Sequence, residues 1–213
     1  MIITASHQKG GVGKSTLVWN LIIEYSKKRK VYVVDLDMQK TITYSLQIRK
    51  KNHDCSNIIL LNPKDKDEFI SMVKRLNKSD LLFIDSGGFD SAFNRIAIAV
   101  SNIILTPVSS KFYELLGLRE YERILKQLSE KLNKQIVTYV VLNKINPNVK
   151  DVRDIIGFIN KSPYFKLMNC ILRQRVVFEN SPGEGKSIVE YEPEGKGTLE
   201  FLKFKKELDM ILK

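Results

Sequence analysis

Nine consecutive residues near the start of the chain, Gln8-Lys9-Gly10-Gly11-Val12-Gly13-Lys14-Ser15-Thr16, have the types and spacing to hold a polyphosphate. The glycines free the backbone to turn successive N–H groups inward around an anion, and the helix that follows adds the positive end of its dipole. In that setting Lys14 reaches β- and γ-phosphate oxygens, Ser15 Oγ ligates Mg²⁺, and Thr16 offers its N–H and hydroxyl to the α-phosphate. The pattern departs from the ordinary phosphate loop at one place. Five residues before Gly13, where that loop has a glycine, stands Gln8, and a second lysine, Lys9, precedes the glycine pair. Two further groups suit the same chemistry. The apolar run Leu81-Leu82-Phe83-Ile84 ends in Asp85, which would hold a water on Mg²⁺. The run Val31-Tyr32-Val33-Val34 ends in Asp35-Leu36-Asp37, carboxylates at the edge where open parallel sheets take their ligands.

These groups need a strand before each loop and a helix after the first. Met1-Ile2-Ile3-Thr4-Ala5 reads as a buried strand, and the apolar spacing from Leu17 to Tyr25 as a helix. Further strands are expected at Ile58-Ile59-Leu60-Leu61, Ile103-Ile104-Leu105-Thr106-Pro107-Val108 and Asn169-Cys170-Ile171-Leu172, and over residues 136–142. Helices are expected over 65–76, 112–132, 149–160 and 194–213, whereas 45–57 reads as polar and irregular with Arg49-Lys50-Lys51 exposed. In the last helix Leu199, Leu202, Leu208 and Ile211, with Phe201 and Phe204, can bury one stripe. Strands alternating with helices predict an α/β protein with a mostly parallel twisted sheet and helices on both faces.

The segment Lys9-Gly10-Gly11-Val12-Gly13-Lys14-Ser15-Thr16 resembles the deviant Walker A motif of the ParA/MinD superfamily of ATPases. The resemblance implies that Lys9 crosses a dimer interface to the phosphates of the partner's ATP, as an arginine finger does. It also implies that Asp37, in a segment close to the family's D-x-D-P-Q, positions the attacking water and Mg²⁺, while Asp35 anchors the loop. Met38 stands where the family has proline. Ser86-Gly87-Gly88 is similar to the glycine-bearing switch of short plasmid-type ParA proteins. Asn143 matches by position the segment that recognises adenine, with a loop-capping role as the alternative. Arg173 and Arg175, before a short helix and Tyr191-Glu192-Pro193, match the DNA-phosphate contacts of the family's C-terminal region. From the residues alone, ion pairing to Glu179 or a neighbour accounts for them equally well.

A chain of 213 residues with 43% hydrophobic and 28% charged residues can bury one good core, so residues 1–213 are expected to form a single ATPase domain without a preceding helix-turn-helix. Cys55 and Cys170 have no CxxC partner, which disfavours zinc and iron–sulfur chemistry. No apolar run reaches membrane-spanning length, so a cytoplasmic protein is expected. The net charge of +11 points to an anionic partner beyond the nucleotide. The resemblance then implies a partition ATPase using ATP and Mg²⁺. It would form an ATP-dependent homodimer on non-specific DNA, nucleoid-associated and stimulated by a ParB-like centromere-binding protein, with no membrane partner. The alternative is a MinD-like membrane-cycling ATPase, for which Phe201-Leu202-Lys203-Phe204-Lys205-Lys206 gives some support.

Overall fold

β-Branched and aliphatic runs of four to nine residues supply seven strands: β1 (Ile2–Ala5), β2 (Val31–Asp35), β3 (Ile58–Leu61), β4 (Leu81–Asp85), β5 (Ile103–Val108), β6 (Thr138–Ile145) and β7 (Phe165–Arg173). In the computed structural model, which describes every residue of the chain except 78, 111, 112, 149 and 150, they form one sheet in the order β3-β2-β4-β1-β5-β6-β7. Every neighbouring pair is parallel. The helices are α1 (Lys14–Ser26), α2 (Thr41–Asn52), α3 (Lys66–Arg75), α4 (Ala92–Val100), α5 (Glu114–Leu132), α6 (Arg153–Lys161), α7 (Val177–Gly183), α8 (Ile188–Tyr191) and α9 (Lys196–Ile211). The predicted helix starts at 112 and 149 lie outside the described residues.

Alternate strand residues face opposite layers. Ile3, Val33, Phe83 and Leu105 pack with α1, α8 and α9 on one face. Val34, Leu82 and Ile84 meet α3 and α4, and Ile104, Val108 and Leu142 meet α5 and α6, on the other. The expected layering is therefore present. Trp19 on α1 is 1% exposed and donates its indole N–H to the Lys186 carbonyl at 2.8 Å. Burying so large a side chain stabilises the fold by about 3 kcal/mol. Pro107 lies in an interior strand rather than at an edge. Leu105 on β5 points its carbonyl at Ser6 N. Two residues on, Pro107 faces the same side but beyond Ala5, the end of β1, where a missing N–H breaks no ladder bond.

Two expectations change. Residues 45–52 belong to α2, whose buried stripe is Ile42, Ser45, Leu46 and Arg49. Arg49 is 6% exposed because its guanidinium grips Glu190 on α8 through two bonds of 2.7 and 3.0 Å. On α9 the buried stripe is Phe201, Phe204 and Leu208, which leaves Leu199 and Leu202 facing solvent. The same helix covers the open edge of β7, where Glu207 accepts the N–H groups of Asn169 and Cys170, and Glu200 that of Arg173.

Candidate nucleotide site

All seven strands run the same way, so the loops after β1, β2, β4 and β5 meet at one edge of the sheet. The loop after β1 is the glycine-rich segment. Gly11 (φ 78°) and Gly13 (φ 93°) lie in the left-handed region that a side chain would strain. Gly13 opens α1 with no side-chain cap and no acidic residue in the first turn, so the helix presents its N–H groups to an incoming anion. Neighbours brace the loop closely. Asn143 Nδ2 donates to the Val12 carbonyl at 2.7 Å, and a Cβ on Gly13 would stand 2.4 Å from that amide. A Cβ on Gly88 would lie 2.8 Å from Gly10 N. Gly88 is thus packed closely against the loop.

Two lysines and several carboxylates occupy this edge. Lys14 is buried, its Nζ donating to the Lys9 carbonyl at 3.0 Å. Burial pulls its ammonium below the ordinary lysine range, against the opposing fields of Asp85, Asp37 and Glu114. Asp85 is fully buried and neither of its oxygens has a hydrogen-bond partner. That burial pushes its carboxyl up to about 8, with Asp35 adding to the shift and the Ser15 hydroxyl and Lys14 opposing it. A sealed carboxylate with unused oxygens beside a helix-start hydroxyl fits a hydrated divalent cation that arrives with phosphates. The two aspartates after β2 divide their tasks. Asp35 accepts from Asp37 N, Thr43 N and Thr43 Oγ1 at 2.9–3.2 Å, which anchors the loop to α2. Asp37 is half-buried, and its carboxylate accepts from Gln39 N at 2.9 Å and from no other group among the described contacts.

Lys9 projects from the loop to an ion pair with Glu114 at the start of α5. Its backbone N–H donates to His7 Nδ1 at 2.9 Å. Burial pushes His7 down to about 3, with Lys14 and Lys9 adding to the shift, so the folded chain holds it neutral. The unfolded chain takes up that proton first, near 6.5. The contribution of His7 to stability is therefore whole above 6.5 and is lost as pH falls toward 3. His7→Asn keeps an acceptor without a titrating ring. The stability of the wild type minus that of the variant, measured by urea unfolding, is expected to shrink by about 2 kcal/mol from pH 7 to pH 5. A difference independent of pH would contradict the buried neutral ring.

The sequence profile of the CobQ/CobB/MinD/ParA nucleotide binding domain matches residues 3–188. The chain belongs to this family. It is a ParA/MinD-family ATPase, similar over 97% of its length to the sporulation initiation inhibitor protein Soj of Bacillus subtilis, with 25% identity and 97% of that protein covered. Among solved structures, a Borrelia burgdorferi chain classed with plasmid partition proteins and bound to AMPPNP superposes with a TM-score of 0.66 at 22% identity, covering 96% of this chain and 98% of that one. MinD in the MinC:MinD complex of Aquifex aeolicus gives 0.74 at 18% identity, covering 98% and 95%.

The remaining site residues of this ParA/MinD-family chain surround a cleft beside the loop. It is lined by Thr16, Leu17, Asn143, Arg173, Arg175 and Phe178 among others. Asn143 lines the cleft and donates its amide N–H to the Val12 carbonyl, the loop-capping contact that the sequence left open as the alternative. Arg175 forms a bidentate pair with Glu200 on α9 at 2.6 and 3.2 Å. Arg173 Nη1 reaches the Asn146 carbonyl at 3.5 Å, and Glu179 pairs with Lys144 rather than with either arginine. Glu114 and Glu200 carry no signal at the sequence level. Each lies far along the chain from the cation it meets, and only the fold brings the pairs together.

Proposed function

We propose that the chain is a DNA-partition ATPase whose residues 1–213 act as one domain. Two ATP-loaded copies close face to face and hold DNA without reading bases, and a ParB-like partner stimulates hydrolysis to ADP and phosphate. The observation that carries this reading is the placement of two lysines, Lys9 and Lys14, in one loop at an edge rimmed by exposed apolar side chains. Met38, Tyr44, Phe89, Tyr113 and Leu116 are 45–80% exposed in the loops and helix starts that follow β2, β4 and β5. A nucleotide sandwiched between two such faces removes that surface from water. Lys14 neutralises charge on its own nucleotide, and Lys9 supplies a cation from across the seam to the transferring phosphoryl group. Ser15 and Asp85, the latter through water, would hold Mg²⁺, which would offset charge on the phosphates. Asp37 orients the attacking water. Gly10, Gly11, Val12, Gly13 and Thr16 give the phosphates backbone and hydroxyl donors, and Asn143 meets the base.

The +11 charge supports a polyanionic partner. Arg173 and Arg175 are the candidate phosphate contacts, Arg175 reaching DNA only by loosening its hold on Glu200. With Mg-ATP, light scattering should give a dimer for the wild type and single protomers for Lys9→Ala, while ADP should give single protomers for both. A wild type that stays single with Mg-ATP would overturn the reading. The MinD-like reading has one observation in its favour, the exposed Leu199, Leu202 and Met210 beside the lysines of α9. No helix among the described residues is long and apolar enough to cross a membrane. Co-sedimentation with anionic vesicles, set against a salt-sensitive shift of random DNA, separates the two readings.

A further inference from the structure

The segment that follows Asp85 lies against the first residues of the phosphate loop, and α4 holds it there. A Cβ on Gly88 would stand 2.8 Å from Gly10 N, 3.0 Å from Gly10 Cα and 3.1 Å from the Lys9 carbonyl carbon, a space that admits only glycine. Asn94, in the first turn of α4 and 2% exposed, secures the segment on both sides of that contact. Its Nδ2 donates to the Gly87 carbonyl at 3.3 Å and to the Phe89 carbonyl at 2.6 Å. Two carbonyl oxygens are met only by the NH₂ of an amide, so the pair also fixes which way the side chain is turned. Next to it, Arg95 grips Asp90 through two bonds of 2.8 and 2.6 Å and reaches Gln127 on α5 at 3.1 Å. The peptide groups around Gly88 are therefore spent on α4. Gly88 itself is half-buried, and among the described contacts its own N–H has no partner.

We propose that Asn94 is the positioning residue by which this chain tells triphosphate from diphosphate. By holding the carbonyls of Gly87 and Phe89, it keeps the Gly88 N–H at the start of the phosphate loop as a donor to the terminal phosphate of ATP. The proposal rests on the phosphates lying in the glycine-rich loop; it does not depend on two copies pairing. A nucleotide is preferred only for contacts that its competitor lacks, and ADP has no terminal group for this donor. A bond to a charged oxygen is stronger than one between neutral groups. Because α4 already holds the segment in place, little of that bond is lost to ordering the chain.

Affinities for AMPPNP and ADP, measured by titration calorimetry at a dilution where light scattering gives single protomers, carry the test. Asn94→Ala is expected to lower the ratio of AMPPNP to ADP affinity about tenfold, the loss of one charge-assisted bond, with ADP affinity unmoved. Gly88→Ala, which pushes the segment off the loop, should do the same. Ser91→Ala is the control. It removes the 3.1 Å cap on Asn94 N and leaves the Asn94 side chain in place, so it should lower Tm and keep the wild-type ratio. An Asn94→Ala protein that loses Tm in the same way and keeps its ratio has a merely structural asparagine, which overturns the proposal. The wild type gives a second measurement that needs no variant to fold. Exchange of the Gly88 amide hydrogen should be about tenfold slower in AMPPNP than in ADP, and equal rates overturn the proposal. If Lys14→Ala binds both nucleotides as the wild type does, the phosphates lie elsewhere, and the placement and the proposal fall together. Lost affinity in Lys14→Ala beside an unmoved ratio in Asn94→Ala overturns the role of Asn94 alone.

Discussion

Alanine at position 14 is expected to lower ATP affinity by about 10²–10³-fold while the chain stays folded. Lys14 is 4% exposed, and burial has already stripped its ammonium of most hydration. A charge-assisted bond from such a donor to a phosphate contributes about 1.5–3 kcal/mol, and neutralising a polyanion beside several carboxylates adds to that. Without the lysine, the phosphates would enter a pocket where Asp85, Asp37 and Glu114 act on the same space with one buried counter-charge fewer. Isothermal titration calorimetry of Mg-ATP binding checks the loss. A circular dichroism melt checks that the fold survives, since in the nucleotide-free chain Lys14 ties down only the Lys9 carbonyl. Retained affinity in the variant would remove the nucleotide from this loop.

The phosphate loop was legible because its chemistry is local. Nine adjacent residues state it, and the strand and helix on either side follow from hydrophobic spacing. The strands were legible for a related reason, since parallel strands buried on both faces read as unbroken apolar runs. Helix α2 was hidden because its buried stripe contains Ser45 and Arg49, so the segment looks polar until Glu190, far along the chain, is seen to neutralise the arginine. The packing face of α9 was misjudged because apolar residues lie all round that helix. Only contact with the sheet side chains selects Phe201, Phe204 and Leu208 over Leu199 and Leu202. The counter-charges at the site stayed hidden for the same reason as α2. Glu114 lies 105 residues from Lys9 and Glu200 lies 25 from Arg175, distances at which sequence spacing says nothing.

Asp37→Ala is expected to reduce ATP turnover by about 10²–10⁴-fold and to trap ATP-loaded dimers, the range found when a positioned acid–base group is removed. The structure separates Asp37 from its neighbour in a way that makes the experiment decisive. Asp35 uses its carboxylate on three bonds to Asp37 and Thr43, so its removal would loosen the start of α2 and blur any kinetic result. The Asp37 carboxylate makes one short-range bond, from Gln39 N, and lies half-exposed while acting on Lys14 through space. Removing it therefore costs the fold little. Nucleotide binding should survive, because Asp37 opposes rather than attracts phosphate charge, and affinity for ATP should hold or rise slightly. Single-turnover phosphate release measures the chemical step, and dimer lifetime after dilution measures the trap. Both should change together, since a dimer that opens on loss of the γ-phosphate cannot open while that phosphate remains. Unimpaired turnover would strip Asp37 of its role. Slow turnover in dimers that open as quickly as the wild type would instead break the link between hydrolysis and release.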